Sequence, residues 1–370
     1  MIGSSKPRRL GIVVSVLGIA LAVTSIDAGQ GGGPAPPPAP GQGIRVDARR
    51  GPVDLGVTDP ALIGAIDVHA HLDPDSPGTG EVVRGYDVMK FAKIAQSRGM
   101  RGFVVKTHNG PQSAAAAYLA REYATPGLDI FGLMAMNLAS GGINVAAMYE
   151  FTHIKGGWGR IIMMPTRDAS RERANQTPEY LANARPWIQF LPPGAPTIVD
   201  TVRNGQLLPE VVHFIGVMSK MASVDSNGPL VLATGHATPE EALLLAREGR
   251  RQRLQVVVTH GGGTASEFQE AAKLGAFLEF NSAAVVRDFN NAKAMVPAIR
   301  RVGAQSIVIG TDCGQMNNPH PADCMGLMAK ALRAQGITER ELNLMFKENP
   351  AKLLGLEPPP PQTVQTATRQ

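Results

Sequence analysis

The feature that most constrains this chain is a repeated alternation between residues 60 and 355. Short apolar or β-branched runs are separated by longer stretches whose apolar residues recur at helical spacing. The runs are "GAIDVHAH", "MRGFVVKTH", "LDIFGLMAMN", "WGRIIMMPTRD", "PLVLATGHAT", "LQVVVTHGGG", "GAFLEFNSA" and "QSIVIGTDCG". Strands this apolar are buried on both faces, as parallel strands covered by crossover helices must be. Eight βα units in succession predict an α/β fold, the (β/α)8 TIM barrel.

Helix signals between the runs agree. "DVMKFAKIAQSRG" closes at Gly99, and "TPEEALLLAREGR" opens with Thr238 as N-cap and Pro239 at the first helical position. "TASEFQEAAKLG" is capped by Thr264 or Ser266 and closed by Gly275. One connection is abnormal. From Ala169 to about Gln206 the chain is rich in Pro, Arg, Asn and Gly, far longer than the usual connection of about 4 to 6 residues. "LLPEVVHFIGVMSKMAS" then leads as a helix to the fifth strand. The insertion falls on the face where such barrels bind substrate, so a lid is one reading. A packing loop or a homo-oligomer contact is the other, and both stay open.

The flanks differ from the core in composition. "KPRR" before "LGIVVSVLGIALAVTS" predicts an export signal over residues 1–28, with a periplasmic or extracellular destination. Ile26 is bulky for a cleavage site, which leaves an uncleaved anchor as the alternative; once the signal is cleaved, no stable membrane span is expected. Residues 29–58 read as a Gly/Pro-rich linker, 59–357 as the barrel and 358–370 as a loose tail. With 370 residues and 44% hydrophobic content, the chain can bury one large core. Removing residues 1–28 takes away Lys6, Arg8, Arg9 and Asp27, so the net charge of +5 becomes +3. No basic cluster with interleaved aromatics appears, which argues against nucleic acid and for a small-molecule substrate. "GWGR" lacks the third glycine of a dinucleotide fingerprint. Cys313 and Cys324 are too few to make a disulfide scaffold, and their pairing is left open.

Polar groups at the ends of buried strands need a reason. His69 and His71 end the first run, Lys106 and His108 the second, His236 the fifth, His260 the sixth and Asp312 the eighth. Taken singly, each has a plain explanation: a hydrogen-bonded histidine filler, or an aspartate capping a loop. Together they do not, because of 8 histidines in the chain these five fall on one predicted face. Alternation along a strand also aims residues i and i+2 the same way, so His69 with His71, and Lys106 with His108, can both point inward. Imidazole and carboxylate suit Zn²⁺ and related divalent ions, and an open coordination position lowers the pKa of bound water toward about 7. Asp312 is placed to act as the base that takes the water's proton.

From about Ile66 to Leu356 the pattern resembles the amidohydrolase superfamily. The resemblance is carried by His69-Ala70-His71, His236, His260, Asp312 and the closing "ENPAKLLGL". It implies a metal-dependent barrel hydrolase acting on amides, cyclic amides, lactones or phosphoesters; the hydrolase reading extends to esters. "VVKTH", "LASGGIN", "MMPTRD" and "TGHAT" look like a little-characterised subgroup with no assigned substrate.

There is one departure. Many two-metal members carry a bridging carbamylated lysine or glutamate at the end of strand four, where this chain has Met163, Met164 and Thr166. Lys106 on strand two is the well-placed lysine, either as a bridging carbamate or as an ammonium that orients an anionic substrate. In the two-metal form His69, His71 and Asp312 hold one ion, His236 and His260 the other, with Lys106 between. In the one-metal form His260 polarises substrate or water. His108, Asn137, Arg167 and Asn281 are candidate substrate contacts. His153, His213 and His320 are read as structural or exposed, and Asp73 and Asp75 as turn formers.

Three other readings compete. "HGGG" at 260–263 resembles a serine-esterase oxyanion loop, but the chain has no G-x-S-x-G elbow. A one-metal decarboxylase or hydratase of the same superfamily fits the missing strand-four ligand. A non-catalytic barrel that binds a metal or ligand has little use for the base Asp312.

Overall fold

The computed structural model describes residues 53–75, 83–108, 110–175, 177–178, 185–261 and 266–358. The expected signal, most of the linker, the tail from 359 and the candidate cap Thr264 lie outside the described residues.

Each of the eight apolar runs contains a strand. These are β1 (Ile66–His71), β2 (Gly102–Thr107), β3 (Asp129–Ala135), β4 (Gly159–Met163), β5 (Val231–Ala233), β6 (Gln255–Val258), β7 (Phe277–Asn281) and β8 (Ile307–Gly310). They form one eight-stranded sheet in chain order, every pair parallel. The sheet is drawn into a barrel just beyond β8, where Asp312 N donates to His69 O at 2.8 Å and His71 N donates to Cys313 O at 2.9 Å. The chain therefore forms the expected TIM barrel.

Two apolar layers hold it. One fills the interior with a buried residue from each strand, among them Val104, Leu133, Ile161, Val257 and Val308, together with Leu353 and Leu354. Those leucines belong to the helix Asn349–Leu354, and Arg160 Nη1 at the start of β4 donates to Leu354 O at 2.8 Å. The "ENPAKLLGL" segment thus closes the end of the barrel away from the histidines. The other layer lies between strands and helices and includes Phe91, Phe103, Phe214, Leu245 and Ile309. A side chain added at Gly132 on β3 would lie 2.6 Å from Ala114 N, so the helix Gln112–Leu119 can pack directly on the sheet.

Thr238 caps Pro239–Arg251 as expected, in a capping box with Glu241, and Asp87 caps the helix Val88–Ser97, accepting from Lys90 N. Ser266 is the first residue of the helix Ser266–Lys273 rather than its cap. The linker boundary differs: Leu55 N and Val57 N already donate to the Asp323 carboxylate at 2.6 and 2.8 Å, so packing against the barrel starts before residue 59. Cys313 and Cys324 form a disulfide. Among the described residues no helix is long and apolar enough to cross a membrane.

The long insertion contains the helices Ser170–Asn175 and Pro186–Phe190 and a hairpin pairing Val202–Arg203 with Gln206–Leu207. Its root is fastened. Arg185 pairs with Asp168, both buried, and also donates to Thr197 O at 3.0 Å; Val199 N donates to Asp168 O at 2.9 Å.

Candidate metal centre

The strand ends bring the histidine rings into one connected set. Ring centroids lie 5.1 Å apart for His108 and His71, 5.3 Å for His71 and His69, 5.4 Å for His69 and His260, and 5.3 Å for His260 and His236. Asp312 Oδ1 lies 2.9 Å from His71 Nε2 and 3.4 Å from His69 Nε2. His69, His71 and Asp312 each offer a ligand atom within 4.8 Å of the other two. That spread suits a shared ion, since ligand atoms about 2 Å from one centre lie within roughly 4 Å of each other.

Three of the rings are held from behind. His69 Nδ1 meets Glu279 Oε1 at 2.5 Å, His236 Nδ1 meets Glu172 Oε2 at 3.1 Å, and His260 Nδ1 meets Asn281 Oδ1 at 2.5 Å. An acceptor at Nδ1 keeps the proton there and leaves the Nε2 lone pair for a metal. The Nε2 of His236 is buried and has no hydrogen-bond partner, a state that coordination would relieve. The donor set therefore fits a divalent ion with borderline-soft preference, such as Zn²⁺. His71 is arranged differently, with Nε2 toward Asp312 and Nδ1 buried and unpartnered.

Burial sets the charge states. It lowers the pKa of His69, His71 and His108, and that of His236 to about 4, so all four imidazoles are neutral at pH 7. Burial raises the Asp312 carboxyl, but the hydrogen bond from His71 and the neighbouring His69 and His260 rings outweigh it and hold the group well below the carboxylate range. Glu279 is likewise kept ionised by His69 against the cost of burial. Burial pushes Lys106 down to about 8, opposed by Asp312 and Glu279; its Nζ lies 2.7 Å from His69 Nε2.

The backbone shows how the set is assembled. The β1–β2 register shifts between Asp67 and Ala70 and resumes with His71 opposite Lys106, a bulge of the kind that re-aims side chains beside a site. Asp67, buried and raised by burial to about 6, accepts from Thr311 Oγ1 at 2.5 Å and from His69 N and Thr311 N at 2.9 Å, stitching β1 to the end of β8. His260 and Asp312 both sit at left-handed φ, 54° and 52°, where Asp and His are tolerated better than most residues. A side chain at Gly310 would lie 2.3 Å from Glu279 Oε1 and 2.7 Å from His69 Cβ, so glycine is what lets that pair meet.

A cavity of about 180 Å³ opens onto this centre. Its lining includes His71, Lys106, His108, Arg167, His236, His260 and Asp312 from the expected residues. Asn137 and Asn281, expected at the substrate, are turned elsewhere. Asn137 donates to His108 O at 2.7 Å and to Thr166 Oγ1 at 2.8 Å and accepts from Thr166 N at 2.8 Å. Asn281 spans His260 and Glu279. Asp73 accepts from Asp75 N at 3.3 Å, as a turn former does. Asp75 is more than that: its buried carboxylate accepts from Arg84 Nη2 at 2.6 Å and from His108 N at 3.2 Å. His320 is fully buried against Asp54 and Asp323, and His213 is exposed.

Glu279, Glu172 and Arg84 were not anticipated. Glu279 had a signal, a lone carboxylate inside the apolar run "GAFLEFNSA". Glu172 stands in the insertion and Arg84 outside the apolar runs, where charged residues are ordinary and carry no such signal.

The chain matches the family described as "Family of unknown function (DUF6282)" over residues 64–279, more than half its length. No curated protein matches it. Among solved structures it is similar to an amidohydrolase from Burkholderia multivorans with bound zinc, at 12% identity and a TM-score of 0.53, covering 79% of this chain and 99% of that one. A second crystal form of that amidohydrolase, with bound HEPES, gives the same TM-score of 0.53, the same 12% identity and the same coverage, 79% of this chain and 99% of that one. N-acetyl-D-glucosamine-6-phosphate deacetylase from Mycobacterium smegmatis is similar at 14% identity and a TM-score of 0.49, covering 80% of this chain and 77% of that one. These likenesses concern the fold.

Proposed function

The chain belongs to the Family of unknown function (DUF6282) and has the barrel fold of amidohydrolases; from that premise we propose that it is a metal-dependent hydrolase of an amide, cyclic amide, lactone or ester bond. The observation that carries this reading is the convergence of His69 Nε2, His71 Nε2 and Asp312 Oδ1, with His236 Nε2 buried and unpartnered beside them.

His69, His71 and Asp312 would hold one ion, and His236 and His260 complete the set. A divalent ion there supplies Lewis acidity and lowers the pKa of water toward about 7. The protein's own contribution is positional. Glu279, Glu172 and Asn281 keep three imidazoles oriented. Asp312, ionised at neutral pH, accepts the proton of the attacking water and returns it to the leaving amine or alcohol, so the bond to the carbonyl carbon breaks with protons balanced.

Lys106 is the second question. Its neutral amine, accessible near pH 8, supports a bridging carbamate between two ions; a persistent ammonium supports one ion and an anionic substrate. Metal content measured before and after Lys106→Ala separates them, since loss of one ion per chain supports the bridge and no change supports the one-ion scheme. The one-ion decarboxylase or hydratase reading is favoured by the segment just after β4, where Thr166 Oγ1 already accepts from Asn137. The deciding experiment is turnover of a panel of esters, lactones and amides by metal-loaded protein, abolished in Asp312→Asn. Silence across the panel would sink the hydrolase reading.

Export is part of the proposal. The Cys313–Cys324 disulfide suits an oxidising compartment. Mass spectrometry of the secreted fraction should find a chain lacking residues 1–28.

A further inference from the structure

The charge of the cavity is lopsided. Among the described residues, Arg84, Lys106, Arg167 and Arg287 line it against Glu172 and Asp312. Both carboxylates are engaged, Glu172 with His236 and Asp312 with His71. A divalent ion would add to the positive excess, and a small cavity walled by low-dielectric protein magnifies it.

Most of the cations already have partners. Arg84 binds Asp75, Lys106 binds His69, and Arg167 is not free. Arg287 is different. It ends the short helix Ser282–Arg287, is exposed, and makes no hydrogen bond or ion pair with any described residue. Asn317 lines the same cavity and leaves its Oδ1 buried without a partner. The uncommitted guanidinium is a donor for an anionic group, while the Asn317 Oδ1, an acceptor, is left for a donor such as an amide N–H of the same ligand.

We propose that the substrate carries a carboxylate, bound by Arg287 on the solvent side of the cavity while the scissile bond lies over His69, His71 and Asp312. A guanidinium fork matches the two oxygens of a carboxylate one for one. A phosphate would bring further oxygens and more charge than one uncommitted guanidinium matches. The proposal rests on the hydrolase reading above and deepens it by naming the substrate class.

The test uses matched pairs of small N-acyl amides and lactones, each as the free carboxylate and as its uncharged methyl ester, with full-length metal-loaded protein. Glutarate binding is measured in parallel by calorimetry. The free carboxylates are expected to have at least tenfold higher kcat/KM, and Arg287→Gln should cut that preference at least tenfold, mostly through KM, with bound metal unchanged. A preference that is absent, or that survives Arg287→Gln, overturns the carboxylate assignment and leaves the hydrolase reading standing. If no member turns over yet glutarate binds and Arg287→Gln weakens it tenfold, the anion site stands and the hydrolase reading falls. Tighter binding of inorganic phosphate than of glutarate overturns the choice of carboxylate.

Discussion

The two sides of the barrel mouth are built differently. At the β1–β8 seam, His69 and His71 expose 1% and 3% of their side chains, and their own backbone amides and carbonyls make the bonds that close the barrel. Across the mouth, His236 exposes 18% of its side chain and is held by Glu172 from the insertion, while His260 is exposed on a turn at φ 54°. Ligands that are part of the sheet's closure cannot move without opening the fold. Side chains on the turns after β5 and β6, as His236 and His260 are, can. In the proposed site the seam would therefore be the fixed half, and the far side the half able to adapt to a second ion or to substrate.

The comparison can be broken most forcefully at Asp312. Asp312→Asn keeps the shape but removes the proposed base, so kcat should fall by about 10²–10⁴-fold; a loss below tenfold would remove the seam from the chemistry. Next comes Glu279→Gln, which leaves His69 in place but weakens the acceptor behind it. Metal affinity should drop by about 10–100-fold, as for other carboxylates behind metal-binding histidines, read by competition with a chelator. The equivalent change on the adaptable side, Glu172→Gln, should cost less than tenfold in the same assay. Equal losses at Glu279 and Glu172 would mean that the two halves do not differ in rigidity.

The smallest effect lies away from the mouth and serves as the control. Asp59 accepts from Arg333 at 2.9 and 3.0 Å and from Ala61 N at 2.9 Å. Burial raises its carboxyl, but these bonds outweigh burial and hold it below its ordinary value. Its contribution is therefore present above the unfolded pKa and lost as pH falls through the folded one. Asp59→Asn should cost about 1 kcal/mol, or about 2 °C in Tm at pH 7, with the gap closing below about pH 4 and metal content unchanged. A gap of the same size at pH 3 would show that the stabilisation does not come from the ionised carboxylate.

How much of this was legible in the sequence depended on whether the signal was local. The eight strands, the Thr238 cap and the rim positions of His69, His71, His236, His260 and Asp312 follow from periodicity, capping chemistry and chain direction, which act within a few residues. Asn137 and Asn281 were misjudged because a strand-end amide looks the same in sequence whether it faces a cavity or braces a loop. Asp75 was misjudged because a turn aspartate and a buried partner of Arg84 have the same local context.

What the sequence by itself determined is the parallel barrel and the inventory of imidazoles on one face, since burial and backbone hydrogen bonding leave that pattern little alternative. Only the tertiary structure decided which carboxylate stands behind which ring, that Cys313 meets Cys324, and that Arg287 faces the cavity without a partner. Those are contacts between residues far apart in the chain, set by how eight crossovers bring the strand ends together, and no local rule encodes them.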